Sequence, residues 1–239
     1  MKRINNIIFL DIETVSVSSS YQELSTAFQE AWQAKANYYI QKNNISPEQA
    51  YTEKAAIYAE FGKVIVISMG FFAQDENDKT FFKIKTLSHD NEYTLLNEFN
   101  NIVNHFGTKK VRFCAHNGKE FDYPYLCRRM LVLGIPLIKP FQLLGKKPWE
   151  NPHLDTMEMW RFGDYKHYTS LKTLTTVLGV PSPKGDIDGS QVGHVYYNEK
   201  DIDRISSYCQ NDVIATARIF LKLTSSSIPL TDENIIISN

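Results

Sequence analysis

The first hydrophobic run, residues 4–10, is continuous rather than alternating, the pattern of a central strand covered on both faces. It predicts a strand that ends at Leu10, just before Asp11 and Glu13. Residues 21–60 change character. They carry helix formers with apolar positions three and four apart, and Ser46-Pro47-Glu48 has the form of an N-cap followed by a first-turn proline. A helical insertion is predicted there. Two apolar runs, 63–73 and 79–87, flank the polar turn QDENDK and predict an antiparallel hairpin.

Beyond the hairpin the chain alternates. A helix is predicted over about 91–106, a short strand over 110–115, a turn at HNGKE, and a helix over about 121–133. Residues 153–162 and 170–180 read as wholly or partly helical, with Gly179 and Pro181 stopping the second, and PSPKGDIDG reads as a loop. The last strong helix runs over about 201–223, and residues 225–239 read as a tail. Strands first, then strand–helix units, predict an α/β fold: a mixed sheet with helices against its faces.

At 239 residues the chain is long enough for one domain with elaborations. Its formal net charge of −1 offers no global field toward nucleic acid or an anionic membrane, so a phosphate-bearing substrate must be drawn in locally. The cysteines Cys114, Cys127 and Cys209 are odd in number, lack metal-site spacing and sit in apolar surroundings, which predicts reduced core residues. The run after the N-terminal MKRINN is too short for a signal peptide and no stretch is long enough to span a bilayer. A cytoplasmic location without membrane association is the default expectation.

The acids change this picture. Side chains alternate along a strand, so Asp11 and Glu13 share one face while Leu10 and Ile12 share the other. Two neighbouring carboxylates repel, and hard oxygen ligands are what Mg²⁺ and Mn²⁺ take. The plain alternative is that they mark the solvent end of a strand. In HNGKEFDYPYL, Asp122 falls at the first turn of a helix, where capping or the helix dipole would explain it alone. In YCQNDVIATARIF, Tyr208 and Asp212 are four apart on one helix face among apolar neighbours. Asp155, Asp186 and Asp188 are explained by a helix start and by loop chemistry.

Together, DIET after a strand, HNGKEFDYP, and a late helical YCQND resemble the three motifs of the DEDD superfamily of DnaQ-like 3′-5′ exonucleases, in its tyrosine-bearing branch. HLDTMEMWRFG, SLKTLTTVLGVPSPKGDIDGSQV and YCQNDVIATARIFLKL extend the likeness to the predicted stand-alone exonucleases related to the proofreading domain of family B DNA polymerases. The resemblance implies a ribonuclease H-like fold with a mixed five-stranded sheet, residues 1–224 forming the exonuclease domain. It implies two Mg²⁺ or Mn²⁺ ions per site, with Asp11 bridging them, Glu13 and Asp212 completing one, Asp122 holding the other, and Tyr208 orienting the attacking water.

Thr14, Asn117 and Phe121 are candidates for contacting the terminal nucleotide, although core packing explains Phe121 equally well. His116 is expected to position structure or substrate rather than ligate metal. Lys119, Lys172 and Lys184 are candidate phosphate contacts that ordinary surface lysines would also explain. The substrate implied is single-stranded DNA or a frayed 3′ end. RNA, or a catalytically silent nucleic-acid-binding module of the same fold, is the alternative. The weak overall charge suggests short substrates or a protein partner.

Overall fold

The computed structural model describes residues 4–106, 111–164, 166–181 and 186–238. Its centre is a mixed six-stranded sheet in the order β5-β4-β1-β2-β3-β6. The strands are β1 (Ile7–Ser16), β2 (Gly62–Gln74), β3 (Thr80–Ser88), β4 (Arg112–Ala115), β5 (Leu154–Asp155) and β6 (Ile235–Ser238). β1, β2 and β3 are antiparallel neighbours, while β4 and β5 on one side and β6 on the other are parallel to theirs.

Two expectations are corrected. β1 does not stop at Leu10, because β2 pairs with it from Phe9 through Ser16, so the acids lie inside the strand. The sheet has six strands rather than five, because residues 235–238 of the expected tail return to pair with β3 from Phe82 to Lys85.

The helical insertion is present as α1 (Thr26–Asn43) and α2 (Pro47–Lys54), the latter capped by the Ser46 side chain with Pro47 in its first turn. It has its own core around the buried Trp32, whose ring meets Tyr51 and Phe61 edge-on at 5.4 and 5.1 Å and whose Nε1 donates to the Pro47 carbonyl at 3.0 Å. The remaining helices are α3 (Glu92–His105), α4 (Asp122–Val132), α5 (Thr156–Arg161), α6 (Leu171–Leu178), the single turn α7 (Val192–His194), and α8 (Ile202–Leu223).

Alternation along β1 sorts the core. Ile8, Leu10 and Ile12 pack with Leu96, Phe99, Leu126 and Met130 of α3 and α4. Ile7 and Phe9 point the other way, to Val213, Ala217 and Phe220 of α8. Phe9 meets Phe72, Phe82 and Phe220 edge-on at 5.4–5.8 Å, an arrangement that ring quadrupoles favour. Asp11 and Glu13 continue the Phe9 face, and Val15 resumes its apolar character against Ile205 and Cys209.

A buried ion pair ties four segments together. Arg129 of α4 donates Nε and Nη2 to Glu92 of α3, with Nη2 to Oε2 at 2.6 Å, and Nη1 to the Ala59 carbonyl at 2.9 Å. Glu92 also accepts the Val64 amide of β2 at 2.8 Å. All three guanidinium nitrogens and both carboxylate oxygens are hydrogen-bonded, the kind of geometry that lets a buried ion pair offset its desolvation. His153 is satisfied similarly: Nδ1 accepts the Phe113 amide at 3.1 Å, and Nε2 donates to the Pro140 carbonyl at 3.0 Å. Burial pushes its pKa down to about 4.

Arg129→Met strands a buried carboxylate and is expected to cost about 3–5 kcal/mol in urea unfolding, most of it recovered by adding Glu92→Leu. Because His153 is held neutral, the unfolded chain binds the extra proton between its ordinary pKa and about 4, so stability falls as pH drops through that window. The stability difference between wild type and His153→Leu is expected to narrow by about 2 kcal/mol between pH 7 and pH 4.5.

Candidate active site

Three segments distant in sequence bring their acids to one place. Asp11 and Glu13 project from β1 toward α8, and Asp212 projects from α8 one turn after Tyr208. Between Glu13 and Thr14 the β1–β2 register slips by one residue: Glu13 pairs with Val66 but Thr14 with Val64. The extra residue, Ile65, lies in β2, and such a bulge sharpens the local twist of the pair, a common feature beside functional sites.

Asp122 arrives from the other side. The β1–β4 ladder ends at Phe9 and Cys114, leaving the β1 backbone beyond it without a strand partner on that flank. The Asp122 carboxylate takes the Ile12 amide there, together with its own. Asp122 is 3% exposed and Glu13 7%.

A fifth acid builds the turn before Asp122. Asp155 caps α5, as expected of a helix start, through Oδ1 to the Met157 and Glu158 amides at 2.9 and 3.2 Å. The same carboxylate accepts the Asn117 amide at 3.0 Å and, through Oδ2, the Lys119 amide at 3.0 Å. One buried side chain thus fixes both the start of α5 and the HNGKE turn. Asn117 is left-handed at φ 64°, and a Cβ on Gly118 would lie 2.4 Å from that of Ala115, so only glycine fits this approach.

The electrostatics are severe. Burial and then Glu13, Asp212 and Asp122 hold Asp11 well above the usual carboxylate range, and burial with Asp212 and Asp122 does the same to Glu13. Asp122 is raised to about 7 by burial, with Asp155 and Asp212 adding to it. Asp212 is raised to about 6 by burial, although the Tyr208 hydroxyl hydrogen-bonds to it. Every pair among the four acids therefore repels. Among the described residues no lysine or arginine forms an ion pair with any of them. Buried, oxygen-only and lacking a counter-charge, this donor set fits hard divalent cations.

Cys209, expected as a core cysteine, is fully buried, and its Sγ and the Asp11 and Glu13 carboxylate oxygens lie within 4.8 Å of one another. Its thiol donates to the Asp11 carbonyl at 3.4 Å, and burial raises its pKa well above the ordinary thiol value. It therefore supports β1 as a neutral thiol.

Asp11 and Asp212 open onto a cleft of about 750 Å³ whose lining also includes Tyr208, Tyr168, Ser170 and Lys172. Glu13 and Asp122 are buried and do not line it; neither do Thr14, Asn117 or Phe121. The Thr14 hydroxyl donates to the Ala56 carbonyl at 2.9 Å, and Phe121 packs against Tyr125 at 5.3 Å beside the α3/α4 core. His116 lines the cleft but is engaged on both nitrogens, Nδ1 with the Thr156 hydroxyl at 2.9 Å and Nε2 with the Thr169 carbonyl at 2.8 Å. Lys119 pairs with Glu158, and Lys184 lies outside the described residues.

A family model described as "Predicted 3'-5' exonuclease related to the exonuclease domain of PolB" matches residues 57–237. No curated protein matches in sequence. Among solved structures, the family B DNA polymerase from the hyperthermophilic archaeon Pyrobaculum calidifontis superposes with a TM-score of 0.54 at 14% identity. The match covers 93% of this chain and 26% of the polymerase, so the chain spans about a quarter of that protein's length. The likeness shows the fold.

Because Asp212 is raised on folding, the metal-free native state binds more protons than the unfolded chain between its ordinary pKa and about 6, and stability declines as pH rises through that range. Asp212→Asn keeps an acceptor for Tyr208 and removes one repelling charge. In EDTA at pH 8 it is expected to raise the melting temperature by about 5 °C. Adding Mg²⁺ or Mn²⁺ should stabilise the wild type more than the variant, as thermal denaturation would measure.

Proposed function

The chain belongs to the family of predicted 3′-5′ exonucleases related to the exonuclease domain of PolB, and from that premise we propose that it removes nucleotides from the 3′ end of single-stranded DNA or frayed ends, releasing nucleoside 5′-monophosphates. The observation that carries this reading is the convergence of Asp11, Glu13, Asp122 and Asp212 on one another, beside a cleft that Asp11 and Asp212 line, with no ion-paired lysine or arginine among the described residues.

Asp11, Glu13, Asp122 and Asp212 would hold two divalent ions, Mg²⁺ or Mn²⁺. These supply Lewis acidity that readies water as a nucleophile and neutralises charge gathering on the scissile phosphate. The work of the chain is to hold the carboxyl groups converged against their own repulsion, and bound cations would favour their ionised forms. Asp11 lines the cleft and adjoins the other three acids, so it would help to hold both ions. Tyr208 is raised above its ordinary pKa by burial and by Asp212, Glu13 and Asp11. Its phenol stays protonated at neutral pH and serves as a hydrogen-bonding group that orients water, not as a base.

In the reaction a water oxygen bonds to the terminal phosphorus and the bond to the preceding nucleotide's 3′ oxygen breaks. That oxygen takes up a proton, and the released nucleotide keeps the phosphate on its 5′ carbon. The presence of all four acids and the tyrosine argues against a silent binding module.

Degradation of 5′-end-labelled single-stranded DNA is expected to require Mg²⁺ or Mn²⁺ and to stop in excess EDTA. Asp11→Asn should lower it by more than about a hundredfold while leaving the circular dichroism spectrum unchanged. Undiminished activity in that variant would sink the assignment. A matched RNA oligonucleotide cut while DNA is spared would overturn the substrate class.

A further inference from the structure

Asp11, Tyr208 and Asp212 account for part of the cleft's lining; the segment from Tyr168 to Thr176 supplies more of it, and of that segment only Lys172 was a candidate substrate contact by sequence. Its framework is rigid. His116 Nε2 donates to the Thr169 carbonyl at 2.8 Å, and Arg161 Nε donates to the His167 carbonyl at 3.3 Å while its Nη1 pairs with Glu120. Tyr168 is therefore held between two anchored carbonyls, yet its side chain is 67% exposed and lines the cleft. An aromatic ring on a fixed backbone, open to a cavity that holds the reacting centre, is a stacking platform at little entropic cost.

Four residues on, Lys172 lines the same cleft and is the one cationic side chain among the described lining residues, His116 being held neutral by burial. It stands in the first turn of α6, which carries no acid there, although the helix dipole favours an acid over a cation at that end. Asp188 of the same lining, held below its ordinary pKa chiefly by hydrogen bonds from Ser190, also feels the Lys172 charge, but Lys172 makes no ion pair among the described residues. A cation set against the helix dipole and facing the cleft is available to a phosphate.

We propose that Tyr168 and Lys172 form a subsite for the nucleotide preceding the scissile linkage, Tyr168 stacking on its base and Lys172 meeting its 5′ phosphate. This deepens the exonuclease reading and rests on it: the acids act on the terminal phosphodiester, while Tyr168 and Lys172 grip the strand behind it. A base face and a phosphate are common to every nucleotide, so the grip is independent of sequence. It also meets the need set by a net charge of −1, since attraction for the strand is supplied inside the cleft.

The test compares a single-stranded oligothymidylate with the p-nitrophenyl ester of thymidine 5′-monophosphate, in which a nitrophenyl group stands in place of the preceding nucleotide and carries neither a nucleobase nor a 5′ phosphate. Tyr168→Ala and Lys172→Ala are each expected to raise KM for the oligomer about tenfold with kcat changed less than about twofold, and to leave hydrolysis of the ester unchanged. Tyr168→Phe and Lys172→Arg should restore the wild-type KM. Lys172→Ala should also flatten the salt dependence of oligomer binding by about 0.7 in the log–log slope, one phosphate contact on a single strand. Equal losses on both substrates, or an unmoved KM for the oligomer, would overturn the subsite. Binding of fluorescein-labelled oligothymidylate in EDTA separates the two claims. If the wild type hydrolyses neither substrate but binding still weakens about tenfold in both alanine variants, the subsite stands and the nuclease reading falls.

Discussion

Four carboxylates that repel one another in every pairing are held in a partly dry space, and the rest of the architecture is organised around resisting that repulsion. α8 is pressed onto the sheet by Val213, Ala217 and Phe220 against Ile7 and Phe9, immediately beside Asp11 and Glu13. Val15, Ile205 and Cys209 close the contact on the other flank. The charged pair on β1 is thus bracketed along the strand by apolar residues whose burial opposes its separation from Asp212. Free energy from packing is converted into readiness for a cation, the usual relation between stability and a functional site.

Asp122 has a second support besides the apolar packing of α4 against Ile8, Leu10 and Ile12. It is placed by hydrogen bonds: to the Ile12 amide where β4 no longer covers β1, and through a turn whose amides converge on Asp155. Asp155 repels Asp122, so it does not cooperate electrostatically with the acid it positions. Geometry wins there because four backbone amides satisfy the Asp155 carboxylate.

Much of this was legible in the sequence, for identifiable reasons. The hairpin, the insertion and the last helix carry periodicities that need only local information, and Ser46-Pro47 marks a helix start by its own stereochemistry. The acids and Tyr208 were legible because their side-chain type and spacing are the chemistry. The true end of β1 was not: a charged pair looks like a terminator until β2 is seen pairing as far as Ser16. β6 was hidden because four residues after a polar stretch become a strand only when the β3 edge is there to receive them. Lys172 was a candidate phosphate contact by sequence, whereas Tyr168 is an ordinary residue type that only the fold brings to the cleft. Thr14, Asn117 and Phe121 do not line that cleft: the Thr14 hydroxyl bonds to the Ala56 carbonyl, the Asn117 backbone amide to Asp155, and Phe121 packs on Tyr125. For Asp155 the cap was visible and its second pair of amides was not.

The insertion adds a further point. The Ala56 carbonyl, just past α2, accepts the hydroxyls of both Thr14 and Tyr125 at 2.9 Å, so a single acceptor carried by the insertion stitches β1 to α4. The segment is therefore not a detachable accessory. Excising it to make a minimal scaffold would orphan two hydroxyls on the elements that carry Asp11, Glu13 and Asp122. Anyone grafting this catalytic core, or shuffling it with a shorter relative, must transplant the carbonyl as well as the acids.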